Sequence, residues 1–171
     1  MSSKHFHHSS EWQVVICKEC QYAVWPSQVV GHLTNKQHKL ARKQAEAECE
    51  EIQGWVGVAQ SPGEFAVPLF VDSPIDELAS FDDGIKCGLD DGECPYVCRG
   101  INTMKAHWRK IHGFSAGQKR GGSGMLKKED VERRISEHCR AVQCQRFFVQ
   151  KEHSQYFEVR SGEGQREGSI R

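Results

Sequence analysis

The chain lacks net charge, long apolar runs and a large apolar fraction. It holds 23 basic and 23 acidic residues among 171, and only 37% of its residues are hydrophobic. No stretch approaches the roughly 18 consecutive apolar residues that a membrane span requires. The opening residues Met1–His8 contain no apolar segment that would read as a secretion signal. We therefore expect an intracellular protein, nuclear or cytoplasmic, with no membrane partner. In such a reducing compartment cysteines serve as metal ligands more readily than as disulfides. An apolar fraction this low cannot build a large core, so something else must stabilise the folded segments. Balanced charge also argues against a dedicated nucleic-acid binder.

What the chain does have is eight cysteines and nine histidines, and four of each fall into two ordered sets. The first is Cys17-x2-Cys20-x11-His32-x5-His38, and the second is Cys87-x6-Cys94-x12-His107-x4-His112. Zinc takes four soft or borderline donors in a tetrahedron, and a cysteine pair followed by two histidines supplies them at these separations. We expect two structural zinc ions as the only cofactor. Each set departs from the common pattern. The wide His32–His38 gap needs a distorted or broken helix, and the six residues between Cys87 and Cys94 need a long turn. Cys98 is a third thiol that could replace Cys87; Cys87 is preferred, since Cys98 falls where a finger places an apolar core residue and a free thiol behaves as a small hydrophobe. Cys49, Cys139 and Cys144 fit neither set and read as packed or exposed thiols. His5, His7 and His8 read as part of a tail.

The pattern predicts a small α+β protein with two divergent ββα-type zinc-finger units joined by an extended connector, plus a C-terminal β-hairpin. Residues 1–10 read as a disordered tail. Residues 11–54 form the first zinc-finger unit: a strand from Trp12 into Cys17, a return strand to Trp25, and a long helix through Gln53 ended by Gly54. Its order of Lys and Arg before Glu opposes the helix dipole, so side-chain pairs and packing must offset it. Residues 55–80 contain Pro62, Pro68 and Pro74 among apolar side chains, which predicts an extended connector lying on the fingers. Residues 81–113 form the second unit, 114–127 a flexible basic loop, 128–160 a short helix and the hairpin, and 161–171 a disordered tail.

Charge is segregated along the chain. Residues 64–93 are acidic apart from Lys86, whereas residues 94–128 carry Arg99, Lys105, Arg109 and Lys110 among other bases and no carboxylate. That asymmetry predicts either internal acid–base pairing or a basic patch for phosphates or a partner, with Arg99, Lys105, Arg109 and Lys110 as its contacts. Sequence-specific base reading is not expected. Counting back from His107 puts the base-contacting positions of an ordinary finger at Gly100, Thr103 and Ala106, which cannot make bidentate contacts to guanine or adenine. Nor does the sequence show a nucleophile–base pair, a phosphate loop or a paired carboxylate, so neither a catalytic residue nor a small-molecule substrate is expected.

The motifs Val15–Val24 with His32-Leu33, Asp83–Cys87, Cys94–Cys98, Met104–His112, Val142–Phe148 and Tyr156–Val159 resemble the fungal family named after protein D of the orsellinic acid biosynthesis cluster. The resemblance runs from about residue 14 to 160 and implies paired divergent zinc fingers, without implying a reaction. Together with the residue reading it leads us to expect an interaction or regulatory module that binds a protein partner. The alternative is low-specificity DNA or RNA binding through the basic second finger, in transcriptional regulation.

Overall fold

A computed structural model describes residues 1–117 and 127–160. It shows a small α+β protein with two sheets and four α-helices, and the chain divides into two units. The first comprises residues 1–67, 75–79 and 146–155, and the second residues 68–74, 80–145 and 156–171. The connector and the C-terminal segment therefore each contribute to both.

In the first unit, strands β1 (Phe6–Ser9), β2 (Val14–Cys17) and β3 (Tyr22–Ala23) form an antiparallel sheet in that order. All four residues of β2 are buried, because the strand is covered on both faces. A single 3-10 turn at Pro26–Gln28 leads into helix α1 (Val29–Leu33), and helix α2 (Arg42–Gln53) follows. Between α1 and α2 the chain leaves helical geometry, with Lys39 in the left-handed region at φ 53°. The expected long helix is thus two helices, and the break lies on either side of His38. Helix α2 buries Ala45, Glu48, Cys49 and Ile52, a stripe at helical spacing. The stripe packs with Phe6, Val15, Val24, Leu33 and Trp55. That packing, with an Arg42–Glu46 pair at 2.8 Å, offsets the unfavourable dipole.

Residues 1–10 are a correction to the sequence reading, since they are an ordered edge of the sheet rather than a tail. Phe6 is fully buried, the Ser3 hydroxyl and the His5 backbone N–H both donate to Glu48 Oε1 on α2, and His5 Nδ1 lies 2.6 Å from Glu48 Oε2. His7 meets Glu77 at 3.1 Å, and His8 Nε2 lies 3.2 Å from the Gly57 carbonyl. The three histidines are therefore partnered side chains of a strand and its flank. Residues 146–155 also differ from expectation: Phe147 and Phe148 leave the strand to bury against aromatic rings of this unit. Phe148 stacks on Trp25 at 4.3 Å between centroids, and Phe147 meets Trp12 at 5.3 Å and Phe65 at 5.0 Å.

In the second unit, strands β4 (Phe70–Val71), β5 (Phe81–Cys87), β6 (Val97–Cys98), β7 (Cys139–Gln145) and β8 (Phe157–Val159) form one sheet in the order β4-β8-β7-β5-β6. The expected hairpin is the antiparallel β7–β8 pair, joined to β5 through the register Cys87↔Cys139. The β5–β7 register shifts between Phe81 and Gly84, and a Cβ at Gly84 would lie 2.5 Å from the Val142 carbonyl oxygen. Only glycine permits that approach. A buried ion pair, Lys86 Nζ to Glu158 Oε2 at 2.6 Å, spans the sheet, and Arg140 meets the other carboxylate oxygen at 2.7 Å.

Helix α3 (Ile101–His107) continues as a π-helical turn at Trp108–His112 and ends at Gly113 with φ 61°, a left-handed stop. Helix α4 (Lys128–Glu137) is the short helix expected at the start of residues 128–160. Phe114 lies 5.5 Å from the Trp108 ring and Ala116 is buried, so the start of the expected flexible loop is packed. The rest of that loop, 118–126, and the expected tail 161–171 lie outside the described residues. No helix among the described residues is long and apolar enough to cross a membrane.

Candidate metal centres

In the first unit β2 carries Cys17 at its end, the turn after it carries Cys20, α1 carries His32, and the break before α2 carries His38. One ligand atom from each falls within 4.8 Å of the others. Cys20 Sγ is 3.1 Å and Cys17 Sγ 3.7 Å from His38 Nε2. Ordinary zinc–sulfur and zinc–nitrogen bond lengths in a tetrahedron would set sulfur and nitrogen about 3.5 Å apart, so the spacing fits a shared ion. Burial, followed by the neighbouring Cys17, pushes the Cys20 thiol up to about 11. Burial, followed by His38, pulls His32 down to about 4. A thiol that resists ionising beside an imidazole that resists protonation, within a set of four close donors, is an arrangement that a cation would relieve.

The second set is assembled by different means. Cys87 ends β5, and a turn with Asp90, Asp91 and Gly92 all at positive φ leads to Cys94. His107 and His112 are five positions apart, which on a regular α-helix would turn them well away from each other. The π-helical turn widens the coil and brings them onto one side, with Nε2 atoms 3.1 Å apart. Cys94 Sγ is 3.4 Å from His107 Nε2 and Cys87 Sγ is 3.6 Å from His112 Nε2; the four ligand atoms again lie within 4.8 Å of one another. Cys98 lies outside this cluster. It is buried with Met104 and Trp108, and its thiol faces the Gly100 carbonyl at 3.4 Å. Cys49 and Cys144 are buried thiols and Cys139 a half-buried one, none of them in either cluster.

Each centre has a carboxylate behind its last histidine. Glu19 Oε2 meets His38 Nδ1 at 3.1 Å, and Asp90 Oδ2 meets His112 Nδ1 at 3.0 Å, in both cases leaving Nε2 turned to the thiols. Such partners fix the tautomer and orientation of a ligand histidine. An aromatic ring attends the other histidine: Tyr22 stands edge-on to His32, with its hydroxyl 3.5 Å from Nδ1, and Tyr96 stacks on His107 at 3.9 Å. None of these four supports was singled out from the sequence. Glu19 lies between the two cysteines and Asp90 within the turn between Cys87 and Cys94, but an acid in a turn carries no mark separating it from a solvated one.

Two buried side-chain nitrogens among the described residues lack a hydrogen-bond partner, His32 Nε2 and Trp108 Nε1. His32 is a donor of the first centre, and Trp108 follows the donor His107 in sequence. An orphaned buried polar atom is costly, and a cation among the four donors would satisfy His32 directly. Both centres could each hold a metal ion, and the residues fit one.

The basic residues are divided between two environments. Arg99 is held by Asp83 in a bidentate pair, at 2.6 and 2.8 Å, and its guanidinium covers the Phe81 ring at 3.9 Å. Arg109 and Lys110 are exposed on the π-helical turn, and Lys105 is half-buried on α3.

No solved structure matches the chain. Orsellinic acid/F9775 biosynthesis cluster protein D of Emericella nidulans is 29% identical over 109 residues, which is 63% of this chain and 20% of that protein. The chain thus spans about a fifth of the length of this curated relative. Residues 4–113 match the family described as Orsellinic acid/F9775 biosynthesis cluster protein D, and that stretch is most of the chain and contains all eight donors. This chain belongs to that family.

Proposed function

We propose that this chain is a zinc-stabilised interaction module, in which each Cys2His2 cluster holds one structural zinc ion on a divergent ββα-type unit and the folded surface binds a protein partner. The orphaned His32 Nε2, enclosed by two thiols and a second imidazole, is the observation that carries the metal reading. Cysteine and histidine donors in a four-membered set favour zinc over harder cations. Bound zinc would supply a four-way cross-link to units whose apolar cores are small. Four protein donors per ion leave no position open for water, which supports a structural role over a hydrolytic one.

The partner reading is supported by the basic residues. Arg99 is engaged by Asp83, and the positions from which a finger reads bases are small or apolar. Low-specificity nucleic-acid binding is the second reading, favoured by exposed Arg109 and Lys110 in a stretch without carboxylates. Elemental analysis of the purified chain should give two zinc ions per molecule. Anisotropy titrations with labelled duplex and single strands at low salt should show negligible binding. Strong binding that falls steeply with salt would transfer the conclusion to the second reading.

A further inference from the structure

Cys139 belongs to neither donor set, yet the sheet places it directly across from the donor Cys87. The next pair along is joined by the Gly88 N–H donating to the His138 carbonyl at 2.9 Å, while the Cys87 N–H turns the other way, to the Tyr96 carbonyl beside β6. Hydrogen-bonded and open pairs alternate along an antiparallel ladder. Cys87 and Cys139 are therefore an open pair, where facing Cα atoms come to about 4.5 Å and side chains are closest. A disulfide spans Cα separations of roughly 4.4–6.8 Å. Both residues are free thiols on one apolar cluster. We propose that Cys87 and Cys139 are a disulfide site, closed by a low-molecular-weight disulfide when the second centre holds no metal, so that the cross-strand bond and the metal exclude each other; this rests on the reading of that centre as a zinc site.

The other thiols of the cluster are placed less well for this bond. Cys98 lies opposite Ile85 and so is a diagonal neighbour of Cys87, at a Cα separation of about 7–8 Å that a disulfide does not reach. Cys94 is carried by a turn with Asp90, Asp91 and Gly92 at positive φ, and what would hold it beside Cys87 is the shared ion. The β5–β7 pairing is made of backbone hydrogen bonds instead. Closing the bond costs the hydrogen bond that the Cys139 thiol donates to the Ile135 carbonyl at 2.8 Å. One protein thiolate attacks oxidised glutathione and releases one glutathione; the second attacks the mixed disulfide, forms the sulfur–sulfur bond and releases the other. Cys87 is buried and Cys139 half-buried, so the exchange is slow and its end state is the measure. That end state leaves the centre with three donors, Cys94, His107 and His112. The first centre has no thiol across its sheet, since Cys17 faces Phe6 and Tyr22.

The test strips metal from the full chain with a chelator, equilibrates it with reduced and oxidised glutathione, traps free thiols with iodoacetamide and maps linked peptides by mass spectrometry. We expect Cys87 joined to Cys139 as the main product at Cys87, and loss of that product when zinc is added before the oxidant. The linked chain should fail to refill its second centre until a reductant is supplied. Cys139→Ser, which leaves all four donors in place, should bind two zinc ions when reduced and lose the linked peptide. Cys87 joined to Cys94 or Cys98, a mixture of partners, or Cys87 left free overturns the inference and leaves the zinc reading standing, because stoichiometry is measured separately on the reduced chain. A linked peptide that forms equally under saturating zinc overturns the exclusion. A reduced chain whose second centre takes no zinc overturns the zinc reading and the exclusion together. The linked peptide is read on the unaltered chain, so it decides the matter even where Cys139→Ser does not fold.

Discussion

Glu19 Oε2 sits 3.1 Å from Nδ1 of His38, and both centres use the same device, with Asp90 in the equivalent place behind His112 at 3.0 Å. Both carboxylates are well exposed, with 60% and 69% of their side chains accessible, so they can be removed without opening a core. Glu19→Gln and Asp90→Asn should each weaken zinc at one centre only, by roughly tenfold or more. Chelator competition on each variant measures this. Equal losses at both centres, or none, would show the carboxylates to be ordinary surface charges.

Metal stoichiometry separates Cys87 from Cys98. Cys98 is buried beside Met104 and Trp108 and outside the ligand cluster, so Cys98→Val should keep two ions per chain and cost under about 1.5 kcal/mol. Cys87→Ser should reduce the count to one by native mass spectrometry. The reverse result would reassign the fourth donor.

The Asp83–Arg99 pair is a test of the partner reading. The bidentate hydrogen bond from Arg99 holds the Asp83 carboxyl below the usual carboxylate range. Asp83→Ala releases the guanidinium. Nucleic-acid affinity should then rise from negligible to weak, with the log–log salt slope steepening by about 0.9 for the one added phosphate contact. Tight binding by the unaltered chain would refute the masked arrangement before the variant is needed.

Acid should loosen the N-terminal edge of the first unit. Burial raises the Glu48 carboxyl, but the Ser3 hydroxyl and the His5 N–H and ring outweigh it, so the group lies below the usual carboxylate range. A carboxyl depressed in the folded state contributes stability that is complete above its unfolded value and is lost as pH falls through the folded one. The stability gap between the unaltered chain and Glu48→Gln should be about 1–3 kcal/mol near neutrality. It should shrink as pH falls below about 4.5. Denaturant melts of both proteins across that range provide the comparison, and a gap constant with pH would assign the effect to packing.

The donor residues were legible because their chemistry is carried by residue type and spacing. His32 and His38 required a break, and the chain has one around His38. What spacing alone did not convey was how the break and the π-helical turn would be made. Neither the left-handed Lys39 nor the wider turn at Trp108–His112 has a strong local signature. Strand β1 was missed because His5, His7 and His8 look solvated, and the groups that meet them lie far along the chain: Glu48 on α2 for His5, Glu77 for His7 and the Gly57 carbonyl for His8. Phe147 and Phe148 carried strand propensity, but Trp25 and Phe65 offered a larger aromatic contact than the sheet did. In each case a partner distant in sequence overrode a local preference.

Phe147 and Phe148 belong to the first unit although they come late in the chain, and this has a consequence for synthesis. The N-terminal unit remains incomplete until residue 155 has been made, so its aromatic core must wait on the ribosome while the second cluster's donors, all before residue 113, are already available. A fragment ending at residue 113 would contain both donor sets and still leave Trp25 and Phe65 without the rings that cover them. The boundary of recognisable sequence and the boundary of autonomous folding are therefore different places in this protein.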